Sequence, residues 1–365
     1  MRAPRLLAVA AVDHPGGAEI GLLRLLAGLG SRGWQTTITT PGPGPLADAA
    51  RAAGHGWAPL TVGGLARGSG RAAILAWPRA ASLAARHDIA YCNGTVSARL
   101  LPALRGRRTV LHVHDFVEHA IPRHWRRADV VLADSAAAAA PLAAAGLKPH
   151  VVYCPIDPAP APVAPPWPGG DAPLVGFVGR LEPRKGPLDL IRAVPALRAA
   201  RPDVRVVIVG DDPYASDPGY EAAVRDARDV EHVGWVEGAA GLLAHLDVLV
   251  APSHREPFGT VAAEALAAGT PVVAGDVDGL REVVDDGVTG RLVAPGDPSA
   301  LAAAILEVLD ARQRMGAAGR EAVRPFLTPA YVERVAGLIA PGGRFTGALD
   351  SPAMASSSAD ATMTG

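Results

Sequence analysis

The chain has 365 residues, 49% hydrophobic and 19% charged, with a formal net charge of −1. That length exceeds one comfortable doubly wound unit and suits two domains, each able to bury a core. Aromatic residues make up only 4%, so the cores must rest on Ala, Val and Leu, and no stretch approaches the roughly 20 apolar residues of a membrane helix.

The balanced total conceals an asymmetry. Residues 1–170 carry 17 basic and 9 acidic side chains, a net of +8, and the remainder 18 and 27, a net of −9. A basic first half could attract an anionic acceptor or a membrane surface. No run of four or more cations occurs, however, so scattered surface arginine is the favoured reading and peripheral membrane contact is not. A nucleic-acid partner is disfavoured on the same ground, because no dense basic stripe with interleaved aromatics is present. Cys92 and Cys154 have neither metal nor disulfide spacing and read as buried thiols in a reducing, cytoplasmic setting.

In chain order, the apolar run at 6–12 imitates a signal peptide. It ends in Asp13-His14-Pro15-Gly16-Gly17 without a small-residue cleavage site, so a buried first strand is expected. Strands are predicted at 6–12, 36–40, 89–92, 109–113, 130–133 and 150–153, with helices at 18–30, 45–53, 71–86, 96–104 and 135–145. Positions 155–173 then hold eight prolines in nineteen residues. Proline continues neither a helix nor a central strand, which makes this a linker and the domain boundary. Alternation restarts with strands at 174–178, 204–209, 230–234, 248–250, 271–273 and 290–293. Helices follow at 187–200, 219–227, 239–244, 259–268, 280–284 and 298–315, and a last one at 329–339. Such alternation is the mark of stacked βαβ units. The expected fold is α/β, with two doubly wound Rossmann-like domains facing across a cleft, at 1–165 and 170–325, then a last helix at 326–340 and a disordered tail at 341–365.

Four stretches could carry chemistry. Pro252-Ser253-His254-Arg255-Glu256-Pro257-Phe258-Gly259-Thr260 follows a strand and turns into a helix containing Glu264. The free N–H groups of that first turn form an anion or hydroxyl site. Glu256 and Glu264 would lie about 80° apart on a continuous helix, suited to two ends of one elongated ligand. Two glutamates at this spacing are more commonly exposed helix residues, but Glu264 sits in an apolar helix where an unsatisfied charge is costly. In Gly179-Arg180-Leu181-Glu182-Pro183-Arg184-Lys185-Gly186-Pro187, Arg180 and Lys185 can both face an anion over the strand end. A solvated loop is the alternative, and no triphosphatase loop pattern occurs. Pro15-Gly16-Gly17-Ala18-Glu19 is a strand-to-helix turn that allows close backbone approach, although a simple tight turn accounts for it equally. His112 and His114 share one face at a strand end, where His114 could bond a sugar hydroxyl. Metal binding is disfavoured because further ligands are lacking nearby.

In this order the pieces resemble the group 1 family of retaining glycosyltransferases with the two-Rossmann GT-B architecture, from Gly16 to about Ile339. The resemblance also runs through Ala268-Gly269-Thr270-Pro271-Val272-Val273, Glu282-Val283-Val284 and Gly287-Val288-Thr289-Gly290. It implies a hexosyl transfer from a nucleotide-diphosphate sugar, with no other cofactor and no metal, to a saccharide or small polar acceptor. By the same resemblance Arg180 and Lys185 hold the donor diphosphate, and Gly17 approaches it from the first domain. Glu256 takes sugar hydroxyls beside the amides of Phe258, Gly259 and Thr260. Glu264 takes the ribose, and His114 lies near the reacting carbon. Residues 1–165 then form the acceptor domain and 170–325 the nucleotide-sugar donor domain, and the helix at 326–340 crosses back to the first. The chain departs from the family at Cys154-Pro155-Ile156-Asp157, where Asn-Gly is common, and at Gly33-Trp34, where Gly-His is usual. A nucleotide-sugar epimerase or hydrolase, or a non-catalytic nucleotide-sugar binding protein, are the alternatives. A lipid acceptor would fit best near Arg123-His124-Trp125-Arg126-Arg127.

Overall fold

The computed structural model describes residues 2–64, 70–158, 160–161, 163–212 and 217–341. The tail anticipated as disordered lies, from residue 342 onward, outside them. The first sheet is built from β1 (Arg5–Val9), β2 (Gln35–Thr40), β3 (Gly56–Pro59), β4 (Ile89–Asn93), β5 (Arg108–Val113), β6 (Val130–Ala133) and β7 (Pro149–Val151). Its spatial order is β3-β2-β1-β4-β5-β6-β7. The second comprises β8 (Leu174–Val178), β9 (Arg205–Val209), β10 (Glu231–Gly234), β11 (Val248–Ala251), β12 (Val272–Gly275) and β13 (Gly290–Val293), in the order β10-β9-β8-β11-β12-β13. Every pairing is parallel. Parallel sheets are covered on both faces, which is why the central strands Leu-Leu-Ala-Val and Val-Leu-Val-Ala are apolar on both sides and buried.

Both sheets are doubly wound, and the connection direction reverses between β1 and β4 and between β8 and β11. Ligands of such sheets bind outside the strands' carboxyl ends at those reversals. The sequence motifs occupy these loops. The helices are α1 (Gly17–Ser31), α2 (Pro45–Ala52), α3 (Gly70–Ala84), α4 (Ala136–Ala144), α5 (Pro187–Ala200), α6 (Pro218–Arg225), α7 (Thr260–Ala268), α8 (Leu280–Val283), α9 (Pro298–Ala322) and α10 (Thr328–Ile339).

Four local expectations need correction. The segments predicted as helices at 96–104 and 239–244 are 3₁₀ turns, Ser97–Ala103 and Ala239–His245. Strand β3 was not anticipated. It is a four-residue edge strand ending in Pro59, tolerated because an edge position needs no donor there. Helix α9 runs seven residues past the predicted end, through Gly316 and Gly319. A Cβ at Gly316 would come within 2.0 Å of the Gly269 carbonyl, so the glycine serves close packing rather than termination.

The chain leaves the first sheet at Ile156 and returns beside it. Ile156 donates to the Phe326 carbonyl at 2.9 Å and accepts from the Thr328 amide at 3.0 Å. Helix α10 then packs on α1, with Tyr331, Val332, Val335, Leu338 and Ile339 buried among Leu22, Leu25, Leu26 and Leu29. Tyr153, Phe258 and Phe326 stack at this crossing with ring centroids 5.0–5.8 Å apart. No helix among the described residues is long and apolar enough to cross a membrane.

Candidate active site

The loops after β8 and β11 are fastened together. The His254 amide donates to the Arg184 carbonyl at 2.8 Å, and His254 Nε2 lies 2.7 Å from the buried Asp189 Oδ2. Gly186 adopts a left-handed conformation (φ +69°), and a Cβ there would sit 2.2 Å from the Pro252 carbonyl oxygen. Only glycine lets the two loops approach this closely. That approach brings Lys185 Nζ to 2.5 Å from Glu256 Oε2, with Glu256 only 9% exposed. Ser253 Oγ stands 3.4 Å from the same carboxylate, and the Glu256 amide donates to Asp278 Oδ2 at 3.2 Å. The cation and carboxylate that were each assigned to a ligand are thus partners of one another. Arg180 Nη2 lies 3.1 Å from Glu182 Oε1, which also engages Arg184.

Glu256 is followed by the turn into α7. Gly259 caps it with φ +102°. The Phe258 side chain is buried in the aromatic crossing, so only its backbone remains for a ligand. Glu264 lies one turn into α7, and its Oε1 is 3.6 Å from Arg24 Nη2 on α1 of the other domain. Arg24 also donates to the Pro155 carbonyl at 2.7 Å. Burial raises the Glu264 carboxyl above its ordinary value, Arg24 opposing and Asp157 assisting. Gly17 opens α1 with open space where a Cβ would point, and Glu19 turns back to accept from the Gly16 amide at 3.1 Å.

His114 follows β5. Its Nδ1 lies 2.9 Å from Asp134 Oδ2 at the end of β6, and its Nε2 lies 2.8 Å from Asn93 Oδ1 at the end of β4. His112 Nε2 stands 2.7 Å from Asp134 Oδ1, close but not aligned as a hydrogen bond. Burial alone would raise Asp134, but the two histidines hold it well below the usual carboxylate range. The donor atoms of His112, His114 and Asp134 come within 4.8 Å of one another. The two histidine–carboxylate contacts, at 2.7 and 2.9 Å, are shorter than the roughly 3.3 Å between ligands on a tetrahedral zinc, so Asp134 is paired with the two histidines directly.

Cys154 joins the two halves of the site. Its thiol donates to Asp134 Oδ2 at 3.0 Å, meets the Thr260 side chain and feels the charge of Glu256. Burial, then Asp134, pushes the thiol well above its ordinary value, so it is a packed donor and not a nucleophile. Two further contacts cross between the domains. Arg255 lies over the Phe116 ring at 4.1 Å, and Glu282 accepts from the Ala136 and Ala137 amides at 2.9 and 3.1 Å, capping α4. Asp134, Asn93, Arg24 and Asp278 were not singled out from sequence. Asp134 and Asn93 each end a parallel strand, which was the available signal.

Residues 172–311 match the family model described as glycosyl transferases group 1, and residues 15–160 match that of glycosyltransferase family 4. The second half of the chain thus matches a group 1 glycosyltransferase domain, and the first half a family 4 glycosyltransferase domain. Among curated relatives of this chain, a glycogen synthase of Mycobacterium tuberculosis is 43% identical over 152 residues, 40% of this chain and 36% of the enzyme. A phosphatidyl-myo-inositol mannosyltransferase of Mycobacterium leprae is 43% identical over 162 residues, 41% of each. The matched region therefore spans roughly two-fifths or less of these relatives' length. The structure of Anabaena HepE in complex with UDP and glucose superposes with a TM-score of 0.74 at 24% identity, covering 91% of this chain and 98% of that one. That likeness is one of fold, the two-domain GT-B architecture.

Proposed function

We propose that this chain is a retaining, metal-independent hexosyltransferase that moves a sugar from a nucleotide-diphosphate donor to a hydroxyl of a saccharide or small polar acceptor in the cytoplasm. One observation carries the reading: Lys185 and Glu256 meet at the second sheet's reversal point, 2.5 Å apart, at the start of α7. A diphosphate arriving there is a better partner for Lys185 than a lone carboxylate, because it carries more charge and more acceptor oxygens. Release of Lys185 leaves Glu256 free to accept from sugar hydroxyls.

Arg180 supplies the second cation, and the α7 start with the amides of Phe258, Gly259 and Thr260 adds a positive dipole end. These groups neutralise a leaving diphosphate without calling on a metal. Glu264, facing Arg24 from the other domain, takes the ribose hydroxyls. Gly17 admits the phosphate close to the first domain's backbone, and His114 stands toward the reacting carbon. The complex of Anabaena HepE with UDP and glucose makes UDP-glucose the first donor to try. A cytoplasmic setting is supported by Cys92 and Cys154 both being free thiols.

The test is a turnover assay with UDP-glucose and other nucleotide sugars, with EDTA present and a panel of saccharide acceptors. Diphosphate release that depends on acceptor, giving a product with the donor's anomeric configuration, is expected. Release without acceptor would point to a hydrolase, and an inverted product would overturn the retaining mechanism.

A further inference from the structure

A continuous line of polar groups runs through the otherwise apolar first domain, from Tyr331 on α10 to Glu19 on α1. The Tyr331 hydroxyl bonds to Tyr91, and Tyr91 Oη lies 2.5 Å from His112 Nδ1. His112 faces Asp134, Asp134 faces His114, and His114 faces Asn93. Asn93 Nδ2 donates to Glu19 Oε1 at 3.4 Å. His112, Asp134 and Asn93 are 1%, 2% and 4% exposed, so nearly every member depends on its neighbours for hydrogen bonds.

The protons along this line can be assigned from geometry. Glu19 only accepts, so the Asn93 amide nitrogen must face it, which leaves Asn93 Oδ1 toward His114 Nε2. A carbonyl oxygen also only accepts, so Nε2 carries a proton. Asp134, ionised, only accepts as well, so Nδ1 carries the other. His112 differs. Its Nδ1 lies against the Tyr91 hydroxyl, which can serve as the donor of that bond, and a neutral ring then keeps its one proton on Nε2, toward Asp134. One carboxylate therefore balances one histidine cation, and the cation is the histidine nearer the cleft.

We propose that Asp134 and Asn93 are positioning residues that hold His114 as an imidazolium, so the first domain offers the donor a fixed cation and hydrogen-bond donor and not a general base. This rests on the placement of His114 in the site proposed above. Other groups facing His114 act in the same sense. Burial opposes the charge, yet Asp134, then Glu19 on α1 and Asp115 on the following loop, outweigh it and hold His114 above the ordinary histidine value. Burial and the His114 charge push His112 down to about 4. Cys154, the remaining titratable neighbour of Asp134, stays a neutral thiol. A cation so placed would oppose negative charge on the departing diphosphate without surrendering a proton to it.

Histidine-selective ¹⁵N labelling of the full chain tests this without any substrate. The His114 signals, identified by their loss in His114→Asn, should show both nitrogens protonated at pH 7. A neutral His114 in the wild-type protein overturns the proposal by itself, whatever the variants do. In Asp134→Asn the titration midpoint should fall by about 1–3 pH units, the effect of losing one adjacent opposite charge. Asn93→Ala should lower it by less, and an unmoved midpoint in a folded Asp134→Asn overturns the proposal. The alkaline limb of kcat should move down with the midpoint, and UDP should bind more weakly at pH values between the wild-type and variant midpoints. If the midpoint moves and kcat does not follow, the dyad stands and the role of His114 in transfer falls.

Discussion

Replacing Lys185 with methionine separates the two functions of the Lys185–Glu256 pair. The substitution keeps an unbranched side chain and removes the charge that stands 2.5 Å from Glu256. Glu256 is then left with Ser253, at 3.4 Å, as its remaining side-chain donor. Breaking a fully buried pair costs about 3–5 kcal/mol; with both side chains partly open, 20% and 12% exposed, about 1–2 kcal/mol is expected. For a domain of this size that lowers Tm by roughly 2–8 °C. Glu256→Gln in the Lys185→Met background removes the stranded charge and should recover most of the loss, a coupling of about 0.5–3 kcal/mol. Diphosphate binding should not recover, because a lost charge-assisted contact of about 1.5–3 kcal/mol weakens Kd by about 10- to 150-fold in both variants. Differential scanning calorimetry and UDP titration read the two effects separately. The reasoning is refuted if Lys185→Met retains wild-type affinity, or if the double variant is no more stable than the single one.

Glu264→Ala should weaken nucleotide binding about tenfold or more, whereas Glu256→Ala should chiefly lower kcat; equal, small effects in steady-state kinetics would undo these assignments. The Glu264 carboxyl is raised by burial, so its folded form favours the proton. The stability it contributes is full below the unfolded carboxylate value and is lost as pH rises through the raised folded value. Glu264→Gln should therefore raise the Tm of the free protein at pH 8 but not at pH 4, while impairing binding. A Cβ at Gly28 would lie 2.5 Å from Val332 Cγ2, so Gly28→Ala should loosen α10 from α1 and cost about 1–3 kcal/mol in denaturant unfolding. Glu282→Ala uncaps α4 across the domain boundary and should increase amide exchange at Ala136–Ala144 without changing UDP affinity.

The sheets were legible because parallel strands buried on both faces read as short apolar runs, and proline marked the break between them. Edge strand β3 escaped because Gly-Trp-Ala-Pro carries neither alternation nor a long apolar run. The 3₁₀ turn at Ser97–Ala103 read as a helix because its apolar content is helical while Pro102 interrupts the ladder. At the site, motifs identified residues but not their partners. Lys185 and Glu256 were both read as ligand groups, and their mutual pairing depends on Gly186 letting two loops meet across 71 positions. Arg24 and Glu264 belong to different domains, and Asp134 matters through His112 and His114 on the neighbouring strand. Such contacts are set by register and packing, which sequence spacing does not encode.

The most direct test of the second domain as donor site is calorimetric titration of the purified chain with UDP, GDP, ADP, CDP and TDP, first in EDTA and then with magnesium. One diphosphate should bind without metal, and that binding should be weakened markedly in both Glu264→Ala and Lys185→Met. Binding to none of the five under either condition, or binding indifferent to both substitutions, would contradict the account.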